Sequence, residues 1–272
     1  SPDGSFAVSR YFDQARGVIQ TYLFEIPKKG EDGLFEQKQG VFLTENASDA
    51  IISPDSKDVA LVVDRGDSAS VLLYNKATKR NKEIFTSPFT EWLISWSTRT
   101  SMILTTKPSG ITEGYAYSLS TLGASSKIIG GIQGLTVLES SDGKYILYSE
   151  SVDNGVETSI LNVKEKSVQK LGIRTLPEKC TFSNDSLSLF CAVPTLFANG
   201  PYPDSWYKGT DVFSDRLWKI DVITGSERLL IDPAGNTNGD LLDVIHPKLD
   251  RNEKYLYFMN KRDLSLWVFE VK

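Results

Sequence analysis

SSDGKYILY, residues 140–148, joins a tight polar turn to a strand of aromatic and aliphatic side chains. Ser, Asp and Gly are the residues that cap and close such turns. The same arrangement returns at Ser1-Pro2-Asp3-Gly4, Ser53-Pro54-Asp55-Ser56, Ser97-Thr98-Arg99-Thr100 and Ser183-Asn184-Asp185-Ser186, with a degenerate copy at Asp250-Arg251-Asn252-Glu253. The third residues of these turns stand at 3, 55, 99, 142, 185 and 252, so the intervals are 52, 44, 43, 43 and 67. A repeat of about 43 residues, with insertions in the first and fifth units, organises the chain.

Every turn is followed by a run that reads as a strand: SFAVS at 5–9, VALVV at 59–63, SMILT at 101–105, YILY at 145–148, LSLFC at 187–191 and YLYFM at 255–259. Most are nearly continuous apolar runs, the signature of strands covered on both faces. A third strand with some alternation follows in most units, as in LWKIDV at 217–222, and the better units close with a weaker fourth. No window carries a helical period over a helix-length span. Four antiparallel strands per repeat of about 40 residues is the arithmetic of a β-propeller blade, because blades stacked around an axis cover each other's faces. A β-sandwich is the competing all-β reading, but it requires no constant interval with the turn at constant phase. The expectation is an all-β propeller of four-stranded antiparallel blades. Six units are visible, for six or seven blades in the full protein.

The Ser-Pro-Asp-Gly turn leading into an aromatic or aliphatic strand resembles the WD40-like repeats of TolB-type and prolyl-oligopeptidase-type propellers. Residues 1–9, 53–63 and 140–148 carry it best, and the third and sixth copies depart from it. The likeness runs over essentially the whole chain. It is specific for fold and says little of function, since such propellers serve enzymes, receptors and adaptors alike. The Trp-Asp ending and Gly-His opening of true WD40 blades are missing.

The 272 residues are 40% hydrophobic and 24% charged, a globular composition, with a formal net charge of -5. That balance disfavours nucleic acid and anionic membrane surfaces as partners, since both select concentrated positive charge. The most apolar run, 59–63, is far short of the roughly 20 residues that span a bilayer. The chain opens inside a turn and shows no signal peptide. The first unit then lacks its innermost strand and the last its outermost. Residues 1–272 are therefore expected to form a single propeller domain without its N-terminal closing segment, which leaves room for a membrane anchor before Ser1.

Within the longest interval, residues 192–215 read AVPTLFANGPYPDSWYKGTDVFSD, an insertion between the second and third strands of the fifth unit. Long ordered loops of this kind are often functional. Phe197, Tyr202, Trp206, Tyr207 and Phe213 are the residue types that anchor interfaces, so they are the candidate binding residues. On that reading, replacing Trp206 and Tyr207 by Ala weakens binding and leaves folding intact. The alternative is a lid whose aromatics are simply packed. Cys180 and Cys191 flank a turn centred between them, so a hairpin there would place them opposite one another within reach of a disulfide; two buried thiols are the alternative.

The remaining candidates are weaker. His246 is the one histidine, and no Gly-x-Ser-x-Gly elbow accompanies it, so no catalytic residue is assigned. Asn236, Asn238 and Asp240 alternate as calcium-loop oxygens do, without the closing Glu of an EF-hand, and no metal or cofactor is expected. Lys76, Lys79, Arg80 and Lys82 read as a solvated edge. Asn46 and Asn184 open glycosylation sequons that matter only in a secretory host.

The function expected is a non-enzymatic, extracytoplasmic propeller, periplasmic or on the cell surface, that binds a protein or a surface polymer through one ring face. The expected disulfide and the absence of a catalytic constellation support it. The alternative is the propeller domain of a prolyl-oligopeptidase-type serine peptidase whose catalytic domain lies outside this chain.

Overall fold

The computed structural model describes residues 1–27, 40–233 and 241–271. Six antiparallel sheets follow one another along the chain. The first holds β1 (Phe6–Asp13), β2 (Val18–Glu25) and β3 (Val41–Phe42), the second β4 (Ala47–Ile52), β5 (Asp58–Asp64), β6 (Ala69–Asn75) and β7 (Arg80–Ser87). The third has β8 (Trp92–Ser95), β9 (Ser101–Thr106), β10 (Glu113–Ser120) and β11 (Ser125–Gln133). The fourth has β12 (Thr136–Glu139), β13 (Tyr145–Val152), β14 (Gly155–Asn162) and β15 (Ser167–Lys170). The fifth has β16 (Cys180–Phe182), β17 (Ser188–Pro194), β18 (Asp215–Asp221) and β19 (Glu227–Ile231), and the sixth β20 (Val244–Leu249), β21 (Tyr255–Asn260) and β22 (Leu266–Glu270). Each sheet is a meander in which sequence neighbours pair, and the whole is an all-β six-bladed propeller, as the repeat implied. Among the described residues the first and sixth sheets have three strands and the other four have four.

The repeated turn has a hydrogen-bond logic that explains its composition. In the second sheet Ser53 Oγ donates to Asp55 Oδ1 at 2.8 Å and accepts the Asp58 N–H at 2.9 Å, while Asp55 Oδ1 accepts the Lys57 N–H at 3.3 Å. Ser140 and Asp142 repeat this with Lys144 and Tyr145, and Ser183 and Asp185 with Leu187 and Ser188. The fourth position turns left-handed, with φ of 70° at Gly4, 60° at Ser56 and 72° at Gly143, which is why Gly recurs there. In the degenerate sixth copy Asp250 replaces the serine, accepting the N–H groups of Asn252 and Tyr255. A short side-chain acceptor at the first position is what the turn needs, and either residue supplies it.

The chain divides into two compact units, Ser1–Lys107 with Tyr117–Ser126, and Pro108–Ala116 with Lys127–Lys272. In the first, β5 serves two cores at once. Val59, Leu61 and Val63 pack with Phe6, Leu23 and Tyr74, while Ala60 and Val62 pack with Trp92, Met102 and Leu104. In the second unit β17 does the same, sending Leu189 and Cys191 one way and Phe190 and Ala192 the other. Alternate side chains of a strand leave on opposite faces, so a run apolar at every position is a strand with a core on each side.

Candidate functional site

The insertion leaves β17 at Pro194 and rejoins the sheet at Asp215. Between them lies one helical turn, α1 (Asp204–Tyr207). Phe197, Tyr202 and Phe213 form a small aromatic core, with ring centroids 5.0, 5.1 and 5.8 Å apart, and Trp206 stacks on Phe213 at 6.0 Å. Val156 of β14 and Leu176, in the link between β15 and β16, complete it. Tyr202 is 0% exposed, Phe213 2% and Trp206 4%, whereas Tyr207 is 39% exposed and Phe197 half-buried. The structure therefore gathers the five candidate residues into one place, but it turns Tyr202, Trp206 and Phe213 inward. The expectation that Trp206 can be removed without harm to folding is corrected by this burial. Gly110 packs directly on the loop: a Cβ there would lie 2.7 Å from the Tyr202 backbone nitrogen, and its N–H donates to Asp204 Oδ2 at 2.6 Å.

Beneath the aromatic core is a polar cluster that sequence reading did not single out. Lys179, wholly buried, ends a short 3-10 turn (Pro177–Lys179). Its Nζ donates to Asp243 Oδ1 at 2.7 Å and to the Val244 carbonyl at 2.9 Å, and lies 2.8 Å from Asp215 Oδ2. Trp206 Nε1 donates to both Asp243 oxygens, at 3.0 and 3.1 Å, and the Phe213 N–H donates to Oδ2 at 3.1 Å. The same ammonium sits 4.8 Å from the Trp206 ring centroid and 5.1 Å from that of Phe213. Burial pushes Asp215 up to about 6 despite the opposing pull of Lys179. Every other described ion pair involves side chains at least partly open to water; this one alone is dry on both sides. The cluster bolts the insertion to the fifth and sixth sheets.

The insertion holds Leu196, 77% exposed, and Val212, 49% exposed, out to solvent, as it does Tyr207. The Tyr207 hydroxyl pairs with Glu178, a carboxyl lying deep among protein atoms and pushed up to about 7 by that desolvation. Two open grooves border the loop. One, of ≈ 850 Å³, runs past Arg174, Leu196, Phe197 and Trp218; the other, of ≈ 920 Å³, past Ile111, Asp153, Asn199 and Pro201. Arg174 is held by the carbonyls of Val156 and Asn154 and lies 5.4 Å from the Phe197 ring centroid.

Cys180 and Cys191 face each other directly in the β16–β17 register and are joined by a disulfide. Reducing it should cost about 2–3 kcal/mol, the loss expected for a short closed loop. Thermal unfolding with and without reductant reads this, and under denaturing, non-reducing conditions no thiol should be labelled. His246 stands exposed at the bulge in β20, where φ is 53°. Asn236, Asn238 and Asp240 lie outside the described residues.

Glu139, at the end of β12, is 8% exposed, and burial, with Asp142 adding to it, pushes its carboxyl up to about 7. A raised folded-state value means that this group favours the fold below its unfolded value of 4.5, and that the advantage is lost as pH rises through about 7. Glu139→Gln should therefore raise stability by about 1–3 kcal/mol at about pH 8 and leave it nearly unchanged at about pH 4. Urea unfolding at the two pH values measures the difference.

No family model matches this sequence, and no curated protein sequence matches it. Solved structures do resemble it. TolB from Acinetobacter baumannii superposes with a TM-score of 0.58 at 13% identity over 98% of this chain and 64% of that one. The β-propeller domain of the Trilobed protease from Pyrococcus furiosus, described as having an open velcro topology, gives 0.62 at 10% identity over 98% and 78%. The acylaminoacyl peptidase of Pyrococcus horikoshii gives 0.61 at 14% identity over 98% and 44%. The chain thus spans less than two thirds of TolB and under half of that peptidase. At these identities the likeness shows the fold, a propeller of the TolB and peptidase kind. Among the described residues no helix is long and apolar enough to cross a membrane.

Proposed function

We propose that residues 1–272 form a single, non-enzymatic propeller domain that works outside the cytoplasm and binds a protein or surface polymer through the face carrying residues 192–215. One observation carries this reading: an insertion fixed from below by a dry ion cluster nevertheless holds Leu196, Tyr207 and Val212 out to solvent. Ordering a loop in advance removes much of the entropic cost of binding through it. The disulfide supports an oxidising compartment, where such bridges persist. In this reading Tyr207 and Phe197 make contact, while Tyr202, Trp206 and Phe213 hold the loop's shape.

The double variant Leu196→Asp, Tyr207→Ala should bind the partner at least about tenfold more weakly, as loss of interface anchors does, while its melting temperature falls by no more than about 4 °C. Partner capture from an envelope extract, followed by titration of the captured partner with both proteins, supplies the measurement. Equal affinities would remove the loop from consideration.

The peptidases among the structural neighbours favour one second reading, a propeller belonging to a prolyl-oligopeptidase-type serine peptidase. The coding sequence beyond Lys272 separates the two, because the peptidase reading requires an α/β-hydrolase domain in the same protein.

A further inference from the structure

The Lys179 cluster does more than pair charges. A primary amine lies within a single hydrogen bond of each of two carboxyls at 0% side-chain exposure, walled by Trp206 and Phe213. The carboxyls outnumber the cation, and Asp215 Oδ1 is buried with no hydrogen-bond partner. Asp243 is held differently: the Trp206 indole N–H bridges its two oxygens, at 3.0 Å from Oδ1 and 3.1 Å from Oδ2, the Phe213 N–H points at Oδ2, and Oδ1 faces the amine. A backbone N–H on Oδ2 and an indole N–H that reaches it as well, with an amine beside Oδ1, are donors that can hold the oxyanion of a tetrahedral intermediate.

We propose that Lys179 and Asp243 condense into an intramolecular amide, with Asp215 carrying the proton between them. The ammonium passes one proton to Asp215, Asp215 hands it to Asp243 Oδ1, and the free amine attacks Cγ of the carboxylic acid so formed. The C–N bond forms as negative charge collects on Oδ2, where Trp206 and Phe213 hold it. Asp215 then carries one proton from the nitrogen to the Oδ1 hydroxyl, which leaves as water as the C–O bond breaks. One ammonium and one carboxylate become one amide and one water; nothing is oxidised or reduced, and Asp215 ends as it began.

Two physical reasons favour the step here. Groups held at contact react as though at an effective concentration of about 10⁵–10⁸ M. In water the separated ions are the stable form, but in a dry site both charges are costly, and condensation removes them together. The rise of the Asp215 carboxyl to about 6, caused by burial, suits a group that must take up and return a proton. The bond would tie residues 64 positions apart, fastening the insertion's sheet to β20 covalently.

The test is the intact mass of the whole chain, reduced and denatured, freshly purified and after prolonged incubation. The wild type should be lighter than its sequence by one water, and digestion should yield a branched peptide containing both Lys179 and Asp243. That peptide distinguishes the amide from a cyclised aspartate, which also loses water. Lys179→Arg and Asp243→Ala should each show their full sequence mass, and Asp215→Asn should condense at least about tenfold more slowly. A wild type that keeps its full mass, or a branch at Asp215 instead, overturns the proposal, and neither result depends on a variant folding. Rapid condensation in Asp215→Asn overturns the proton-carrying role.

Discussion

Lys179→Ala is expected to destabilise the protein by about 3–5 kcal/mol, the cost of leaving buried carboxylates without their cation. Asp215 and Asp243 are 2% and 0% exposed, and among the described residues the one ammonium within hydrogen-bond reach of them is that of Lys179. Removing it strands up to two negative charges in a site that water does not enter, and the Val244 carbonyl loses a donor as well. Adding Asp215→Asn to the same background should recover part of the loss, because one of the stranded charges is then neutral. Urea midpoints of the three proteins measure both effects. A single variant within about 1 kcal/mol of wild type would mean that the cluster is solvated and does not bolt the insertion.

Trp206→Ala is expected to be nearly as costly, about 3–5 kcal/mol, as large aromatic-to-Ala changes in cores are. The ring stacks on Phe213, receives Lys261 Nζ 4.3 Å from its centroid and donates its indole N–H to Asp243. Its loss opens a cavity and unpairs a carboxylate. Tyr207→Ala, one residue along, should cost only about 1 kcal/mol, since its ring is partly in water. Equal effects of the two substitutions on thermal stability would contradict the inward placement of Trp206.

The contrast between these neighbours shows where sequence reading reached and where it stopped. The propeller was legible because its turn is a local device: Ser140 and Asp142 satisfy the backbone within five residues, so the requirement is written contiguously. Two-sided burial of β5 was legible because apolar residues without alternation have one structural meaning. The facing cysteines were legible because a hairpin register is symmetric about its turn, and Cys180 and Cys191 stand equally far from the centre of theirs. Inside the insertion none of these aids exists. Its aromatics are spaced by Pro, Gly and polar residues without a period, so Tyr202 inside and Tyr207 outside look alike. Lys179, Asp215 and Asp243 come from three separate segments, and each alone reads as a surface charge. One signal was present. Asp243 interrupts the apolar run LLDVI at 241–245, and an acid inside such a run needs a buried partner.

The reading of function rests on an insertion that is rigid before it meets a partner. Amide hydrogen exchange across residues 195–215 tests this most directly. The N–H of Phe213, bonded to Asp243, and that of Asp215, bonded to the Leu242 carbonyl, should exchange as slowly as the central strands β17 and β18. Exchange at the rate of an open chain would contradict it, because a loop that opens freely has neither a dry cluster beneath it nor a fixed surface above.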